Sequence, residues 1–227
     1  MYSLILLNGG VGSRVGANQP KQFLKINGIP MIIYSVIKAD ACELISEIIL
    51  NYPKDCLEKT KELLANYGVK KPIKFVEAGK TRHESVLKML EESINEMVLI
   101  HEAARPVLYD DTFENLVKSP HENVSYMLEI PFTVAPVDPE NQRITGYLER
   151  STLRNVQLPQ KFNKQDLLYA HQAAKADSIE FTEDATLCAH YGKEVYFING
   201  YDNNIKVTTK FDVGIVAHIL KLSSGEE

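Results

Sequence analysis

Two cations stand in or beside a glycine-rich stretch near the N-terminus. Residues 8–16 read Asn8-Gly9-Gly10-Val11-Gly12-Ser13-Arg14-Val15-Gly16, and Pro20-Lys21-Gln22 follows. Glycines let backbone N–H groups approach a phosphate closely. Packing two permanent cations, Arg14 and Lys21, against such a loop is costly unless an anion neutralises them, and a triphosphate would do so. The spacing excludes two common nucleotide loops. A dinucleotide fingerprint counted from Gly10 and Gly12 wants glycine at 15, which is Val15, and no Gly-Lys-Ser/Thr follows. Gly79-Lys80-Thr81 has the ending of a phosphate loop, but the glycine it needs at 74 is Lys74. The competing reading of residues 8–16 is a tight strand-to-helix turn with no ligand.

A loop of this kind works only where a strand delivers it. Ser3–Leu7 reads as a buried strand running straight into it. Beyond it, short apolar runs alternate with helical patterns. Strands are expected at Glu47–Asn51, Ile73–Glu77, Met97–His101, Val124–Pro131 and Val195–Asn199. Helices are expected at Ile32–Ala39, Lys54–Tyr67 (stopped by Gly68), Thr81–Ile94, Asp111–Lys118, Phe162–Ala176, Glu183–Tyr191 and Phe211–Leu222. Val86, Met89, Leu90 and Ile94 fall on one helical face. This βα rhythm predicts an α/β fold, a Rossmann-like, mostly parallel sheet with helices on both faces. The rhythm breaks over Phe132–Gln157, which is polar and β-prone around Asp138-Pro-Glu-Asn-Gln142, and reads as a projecting hairpin arm on a single domain spanning 1–227. The tail from Ser223 is expected to fray.

Composition narrows the class. The chain has 227 residues, 44% of them hydrophobic, and a net charge of −5, which fits an ordinary globular protein. It argues against a nucleic-acid binder working through bulk positive charge. No apolar run approaches the roughly 20 residues that cross a bilayer, and the N-terminus lacks the basic start of a signal peptide. Three scattered cysteines, Cys42, Cys56 and Cys188, form no CxxC, and the histidines no HExxH. A disulfide framework or zinc site is not expected, and a reducing cytoplasm is.

Gly9-Gly10-x-Gly12-x-Arg14-x-Gly16 followed by Pro20-Lys21-Gln22-Phe23-Leu24 resembles the nucleotide loop of the cytidylyltransferases that act on polyol phosphates, of the methylerythritol-phosphate and ribitol-phosphate types. Further segments match that family in order: Arg82-x-x-Ser85-Val86, His101-Glu102-Ala103-Ala104-Arg105-Pro106, Arg150 with Pro159-Gln160-x-Phe162, Thr182-Glu183-Asp184-Ala185, and Asn204-Ile205-Lys206-Val207-Thr208. The resemblance spans residues 4 to about 213 and implies a reaction in which CTP and an alcohol phosphate give a CDP-alcohol and pyrophosphate.

The resemblance implies roles for particular residues. Arg14 and Lys21 grip the triphosphate, Lys206 stabilises charge near the α-phosphate, and Arg150 on the arm holds the incoming phosphate. Nucleotide contacts fall to Asn8, Gly9, Gly10, Gly12, Gly79, Arg82, Ser85 and Arg105. Thr133 is a further acceptor contact, with Arg154 as a second substitute. Mg²⁺ is the implied cofactor, with Glu102 as its ligand, and a homodimer forms through the 132–157 arm. Each residue also has a structural reading: Arg105 as a loop tie, Lys206 as a surface lysine, Arg150 as a partner of Glu149, Ser85 as an exposed helix-start serine. The chain departs from the family at Glu102, where aspartate is usual, at Val134-Ala135 in place of an Asp-Thr pair, and at Leu158 in place of threonine. Asn8-Gly9-Gly10 leans toward the ribitol type, and His101-Glu102-Ala103-Ala104-Arg105 toward the erythritol type. The acceptor stays open between these, and the alternative is a non-catalytic CTP-binding module on the same fold. A nicotinamide-dependent oxidoreductase fails on the glycine spacing.

Overall fold

The computed structural model describes residues 1–10 and 20–224. The elements in chain order are β1 (Tyr2–Leu7), a 3-10 turn (Lys21–Phe23), β2 (Lys25–Ile26), β3 (Ile29–Pro30), α1 (Met31–Ala41), β4 (Ile45–Tyr52), α2 (Leu57–Asn66), β5 (Ile73–Glu77), α3 (Arg82–Glu92), β6 (Met97–Glu102), α4 (Thr112–Lys118) and β7 (Val124–Glu129). There follow β8 (Val137–Asp138), β9 (Arg143–Ile144), a 3-10 turn (Arg150–Thr152), β10 (Arg154–Asn163), α5 (Lys164–Asp177), α6 (Asp184–His190), β11 (Tyr196–Asn199) and α7 (Lys210–Ser224).

Seven strands form one sheet in the order β11-β7-β10-β6-β1-β4-β5. Parallel pairs join β1 to β4 and β6, β4 to β5, and β7 to β11, whereas β10 runs antiparallel to both its neighbours. The strands alternate between two cores. Leu4, Leu6, Ile48 and Leu50 pack with α1 and α4 on one face. Ile5, Ile49, Val98 and Ile100 pack with α3, α5 and α6 on the other. Covering on both faces is why these strands read as continuous apolar runs. The chain runs outward from β1 through β4 to β5, then returns through α3 to β6 on the other side of β1. The strand order therefore reverses at β1, and the crevice beyond its carboxyl end is where open α/β sheets bind ligands.

Three expectations need correcting. β10 was not anticipated. Its residues 154–157 pair with β7, so the projecting stretch ends at Leu153 rather than Gln157. Its last residues, Phe162 and Asn163, are strand, and helix α5 starts at Lys164, capped by Asn163. A strand interrupted by Pro159 and carrying buried Gln157, Gln160 and Lys161 keeps only Val156, Leu158 and Phe162 of an apolar alternation, which Gln160 breaks. The pairing with β7 shifts register between Gln157 and Gln160, which accommodates the proline. Ile94 is 72% exposed rather than on the packed face, because α3 ends at Glu92 and Ser93 caps it through Leu90. Helix α7 continues through Ser224, two residues beyond the expected end at Leu222, and residues 225–227 lie outside the described residues. Within the stretch expected as an arm, the two-residue strands β8 and β9 pair antiparallel.

Candidate active site

A cavity of about 360 Å³ opens at the carboxyl ends of β1, β4, β5 and β6. Among the described residues, Lys21, Lys80, Arg82 and Lys206 bring four positive charges to its lining, against the one carboxylate of Glu102. Such an imbalance in a concave site favours a polyanionic ligand.

Glu102 ends β6 and is the centre of the charge cluster. Lys206 Nζ lies 2.9 Å from its Oε1 and 2.7 Å from its Oε2. Arg82 Nε stands 3.8 Å from Oε1, and Arg105 Nε 3.9 Å from Oε2. Burial alone would raise the Glu102 pKa, but Lys206, Arg82 and Arg105 outweigh it and hold the carboxyl below its ordinary range. Lys206 reaches this position because the segment before α7 is tied down. Val207 N–H donates to Ala104 O, Lys21 Nζ donates to Val207 O at 3.0 Å, and Arg105 donates to Asn204 O at 2.8 Å.

Arg82 opens α3 and turns its guanidinium across to Asp184, with Nη1 on Oδ1 at 3.0 Å and Nη2 on Oδ2 at 2.5 Å. Asp184 is completely buried and also accepts from His171 Nε2 at 3.0 Å. Burial pushes its carboxyl up, but Arg82 and then His171 hold it far below the usual range. The neighbouring Glu183 goes the other way. Burial and the Asp184 charge raise its pKa to about 7.

Two glycines are required by close approach. A Cβ on Gly9 would meet Ala78 Cβ at 2.6 Å and Asn51 Nδ2 at 2.8 Å, and one on Gly79 would meet the Glu84 side chain at 2.7 Å. The Gly79-Lys80-Thr81 triplet, which lacks the glycine at 74 that a Walker loop needs, borders the cavity. Thr81 Oγ1 caps α3 by accepting from Glu84 N–H, and Glu84 Oε2 accepts from Lys80 N–H. Ser85 is buried rather than exposed. Its hydroxyl accepts from Gly79 N–H and donates to Thr81 O, both at 2.9 Å, so it holds this loop as well as lining the cavity.

The structure brings Gly9, Gly10, Lys21, Gly79, Arg82, Ser85, Glu102 and Lys206 to one cavity. Asn8 sits just behind it. Its N–H donates to Asn51 Oδ1 and its carbonyl accepts from Gln22 Nε2, while both its side-chain polar atoms are buried with no hydrogen-bond partner among the described residues. Arg105 lies beside the cavity as a tie between Glu102 and the Asn204 loop. Arg150 and Thr133 are exposed and do not line this cavity. Arg150 Nη1 donates to Pro131 O at 3.1 Å, and Arg150 and Arg154 border a separate open cavity of about 820 Å³ at the root of the arm. Gly12 and Arg14 lie outside the described residues.

Sequence reasoning passed over Asn51, Asp184, His171 and His83. Asn51 had a signal, a polar residue closing the apolar strand β4. Asp184 lay inside a recognised segment without being assigned a role. His83 and His171 carried no signal beyond their residue type.

Among the described residues no group of three or more His, Cys, Asp and Glu side chains is placed to hold a metal by protein donors alone. One carboxylate with phosphate oxygens is nevertheless an ordinary Mg²⁺ arrangement. Glu102 Oε2 is buried and, among the described residues, lacks a well-directed hydrogen bond, although Lys206 is within ion-pair distance. The donor set therefore fits Mg²⁺ when a triphosphate supplies the other oxygens.

The family described as 2-C-methyl-D-erythritol 4-phosphate cytidylyltransferase matches residues 2–222. A protein of that name from Bacillus cereus is 32% identical over 221 residues, covering 97% of this chain and 98% of its own length. One from Clostridium botulinum is 33% identical over 223 residues, covering 96% and 97%. The solved structure of 4-diphosphocytidyl-2C-methyl-D-erythritol synthase from Anaerococcus prevotii shares the fold, with a TM-score of 0.85 at 23% identity over 97% of this chain and 96% of that one.

Proposed function

We infer the acceptor from family membership: this chain belongs to the 2-C-methyl-D-erythritol 4-phosphate cytidylyltransferase family and is a CTP-dependent nucleotidyltransferase. The acceptor is 2-C-methyl-D-erythritol 4-phosphate, and the products are its CDP derivative and pyrophosphate. What favours this acceptor over ribitol 5-phosphate is the match across 2–222 together with relatives of that name covering nearly the whole chain. The observation that carries the chemistry is the cluster of Lys206, Arg82 and Arg105 on Glu102 at the cavity floor. A module that merely bound CTP would not need that many cations gathered at one carboxylate.

A phosphate monoester has a second pKa of about 6, so the acceptor arrives largely dianionic and needs no general base. Its oxygen forms a bond to the α-phosphorus of CTP while the bond from that phosphorus to the α–β bridging oxygen breaks, and the electron pair leaves with pyrophosphate. The protein's task is to hold two anions together and to stabilise charge on the transferring group. Lys21 and Arg82 line the nucleotide side, and Lys206 stands where charge builds up. Glu102 keeps Lys206 and Arg82 oriented and would hold Mg²⁺. When bound, the metal neutralises charge on the triphosphate. Arg150 and Thr133, exposed on the arm, meet the acceptor across a homodimer contact, where the arm of one protomer reaches the cavity of its partner.

A pyrophosphate-release assay with CTP tests the reading. Turnover is expected with 2-C-methyl-D-erythritol 4-phosphate and at least tenfold less with ribitol 5-phosphate, the discrimination of a site built to bond one set of hydroxyls. Turnover with ribitol 5-phosphate in preference would overturn the acceptor, and none with any polyol phosphate would overturn the enzymatic reading.

A further inference from the structure

We propose that His83 and His171 are a positioning pair that shares one proton between facing ring nitrogens and so holds Asp184 and Arg82 in place for the nucleotide. The proposal rests on the reading of Arg82 as a cation of the nucleotide cavity.

The argument is a proton count. His171, on α5, is buried, and its Nε2 lies 3.0 Å from Asp184 Oδ1. Asp184 is ionised against Arg82, so that oxygen only accepts, and His171 Nε2 must carry a hydrogen. His83, in the first turn of α3, places its Nε2 2.9 Å from the backbone carbonyl oxygen of His171. A carbonyl only accepts, so His83 Nε2 must carry a hydrogen as well. A neutral imidazole has one N–H. Both are now spent on Nε2, and the two remaining nitrogens, His83 Nδ1 and His171 Nδ1, face each other at 3.1 Å. Two lone pairs at that distance repel. One additional proton turns the contact into a hydrogen bond, and the pair then carries three protons and a charge of +1. The tilted rings, with centroids 4.3 Å apart, keep that charge next to Asp184.

A continuous relay follows: His83, His171, Asp184, Arg82, Glu102, Lys206. With the proton in place every link is made. Without it, the rings must part, or one must give up its Nε2 contact. Release of the His171 contact leaves Asp184 Oδ1 to Arg82 Nη1 alone and loosens the seat of Arg82.

His83 is half-buried at the edge of a second cavity of about 420 Å³ between α3 and α5, which gives protons a way in. The titratable and charged groups around the pair are Arg82 and Glu84 on α3, Lys175 on α5, Glu180 and Glu183 on the connecting loop, and Asp184 on α6. Burial and the neighbouring imidazole lower the His83 pKa from the ordinary histidine value, against the pull of Asp184 and Glu180. The shared proton is therefore lost on the acid side of that value as pH rises.

Two measurements test this on the intact protein. The first is nitrogen-15 NMR of the histidine side chains between pH 5 and 8. Both Nε2 atoms are expected to stay protonated throughout, with the two Nδ1 signals titrating together as one proton. Independent titration of the two Nδ1 atoms, or an unprotonated Nε2, would overturn the proposal whether or not CTP is a substrate. The second is the pH profile of KM for CTP. In the unaltered protein KM is expected to rise about threefold to tenfold as the pair loses its proton, the worth of one hydrogen bond. His83→Phe, which offers no donor, should show the high KM at every pH beyond the dependence belonging to CTP itself. His83→Asn, whose amide N–H can donate to His171 Nδ1 without titrating, should show the low KM at every pH. If both variants kept the unaltered protein's profile, the pair would have no positioning role.

Discussion

Lys206 is anchored by Glu102 at 2.7 and 2.9 Å, and its side chain is still 41% exposed toward the cavity. A cation so placed holds one anion at rest and can turn to a second when a phosphate arrives. Lys206→Met is therefore expected to lower kcat about 10²–10³-fold, the usual effect of removing one preorganised charge from a transition state. Steady-state kinetics at saturating CTP checks this. A change confined to KM would assign Lys206 to uniform binding instead. Asp184 carries a different weight, because it is wholly buried under Arg82 and His171. Asp184→Asn leaves the guanidinium without its counter-charge and is expected to cost about 3 kcal/mol at neutral pH. The pH dependence follows from the sign of the shift. The Asp184 carboxyl is held below its unfolded value, so its contribution is complete above about pH 4 and is lost as pH falls toward the folded pKa. Chemical denaturation at pH 7 and pH 3 should show a smaller acid loss in Asp184→Asn than in the unaltered protein. An equal loss would mean that other carboxylates dominate the acid limb.

The elements that deliver these side chains depend on their caps. Helix α7 starts at Lys210, and Thr209 and Asp212 bracket its first turn reciprocally. Asp212 Oδ2 accepts from the Thr209 N–H at 2.7 Å, and the Asp212 N–H donates to Thr209 Oγ1 at 3.3 Å. The same carboxyl oxygen accepts from the N–H and hydroxyl of Thr208, two residues after Lys206. These bonds, with Thr208 foremost, bring the Asp212 pKa down to about 2. Asp212→Ala is expected to cost about 1–2 kcal/mol, which lowers Tm by roughly 2–8 °C in a chain of this size. Calorimetry checks it, and an unchanged Tm would show that the 204–208 segment is held without this cap, by its contacts with Lys21, Ala104 and Arg105. Element structure of this local kind was largely legible in the sequence. β1, α1, β5 and α3 follow from apolar period and capping residues. β10 was not legible, because tertiary contacts override its local preference. Lys161 is 2% exposed and is accommodated only by donating to the carbonyls of Ser119 and Val117, at 2.7 and 3.4 Å. The candidate site divides the same way. The glycine run, Lys21 and Lys206 stood out as residues in a pattern. The contacts from His83 to His171 and from His171 to Asp184 join α3, α5 and α6, and no local signal links residues so far apart in the chain.

At the scale of the molecule, the charge cluster and the arm lie apart within one chain. The cavity at the end of β1 is lined by Lys21, Lys80, Arg82 and Lys206, while Arg150 and Thr133 are exposed in the stretch that follows β7. The arm is also apolar where it meets solvent: Phe132 is 78% exposed and Tyr147 77%, with Val137 and Ile144 uncovered on β8 and β9. Two strands of two residues each have little stability in water on their own. Uncovered aromatic and aliphatic residues on such a ribbon fit the homodimer contact proposed above. A second copy of this chain would satisfy both needs under the proposed function, since it would bury the arm and bring Arg150 toward the cavity. Replacing residues 137–144 with a short Gly-Ser link removes the ribbon without touching the sheet or the cavity. The unaltered protein is expected to sediment as a dimer and the shortened chain as a monomer. Calorimetric CTP binding should survive in the monomer within about threefold, because every described cation of the cavity comes from the same chain, whereas turnover should fall at least 10²-fold through loss of acceptor positioning. A monomer that turned over at the full rate would place acceptor recognition within a single chain, and the arm would then have no part in the reaction.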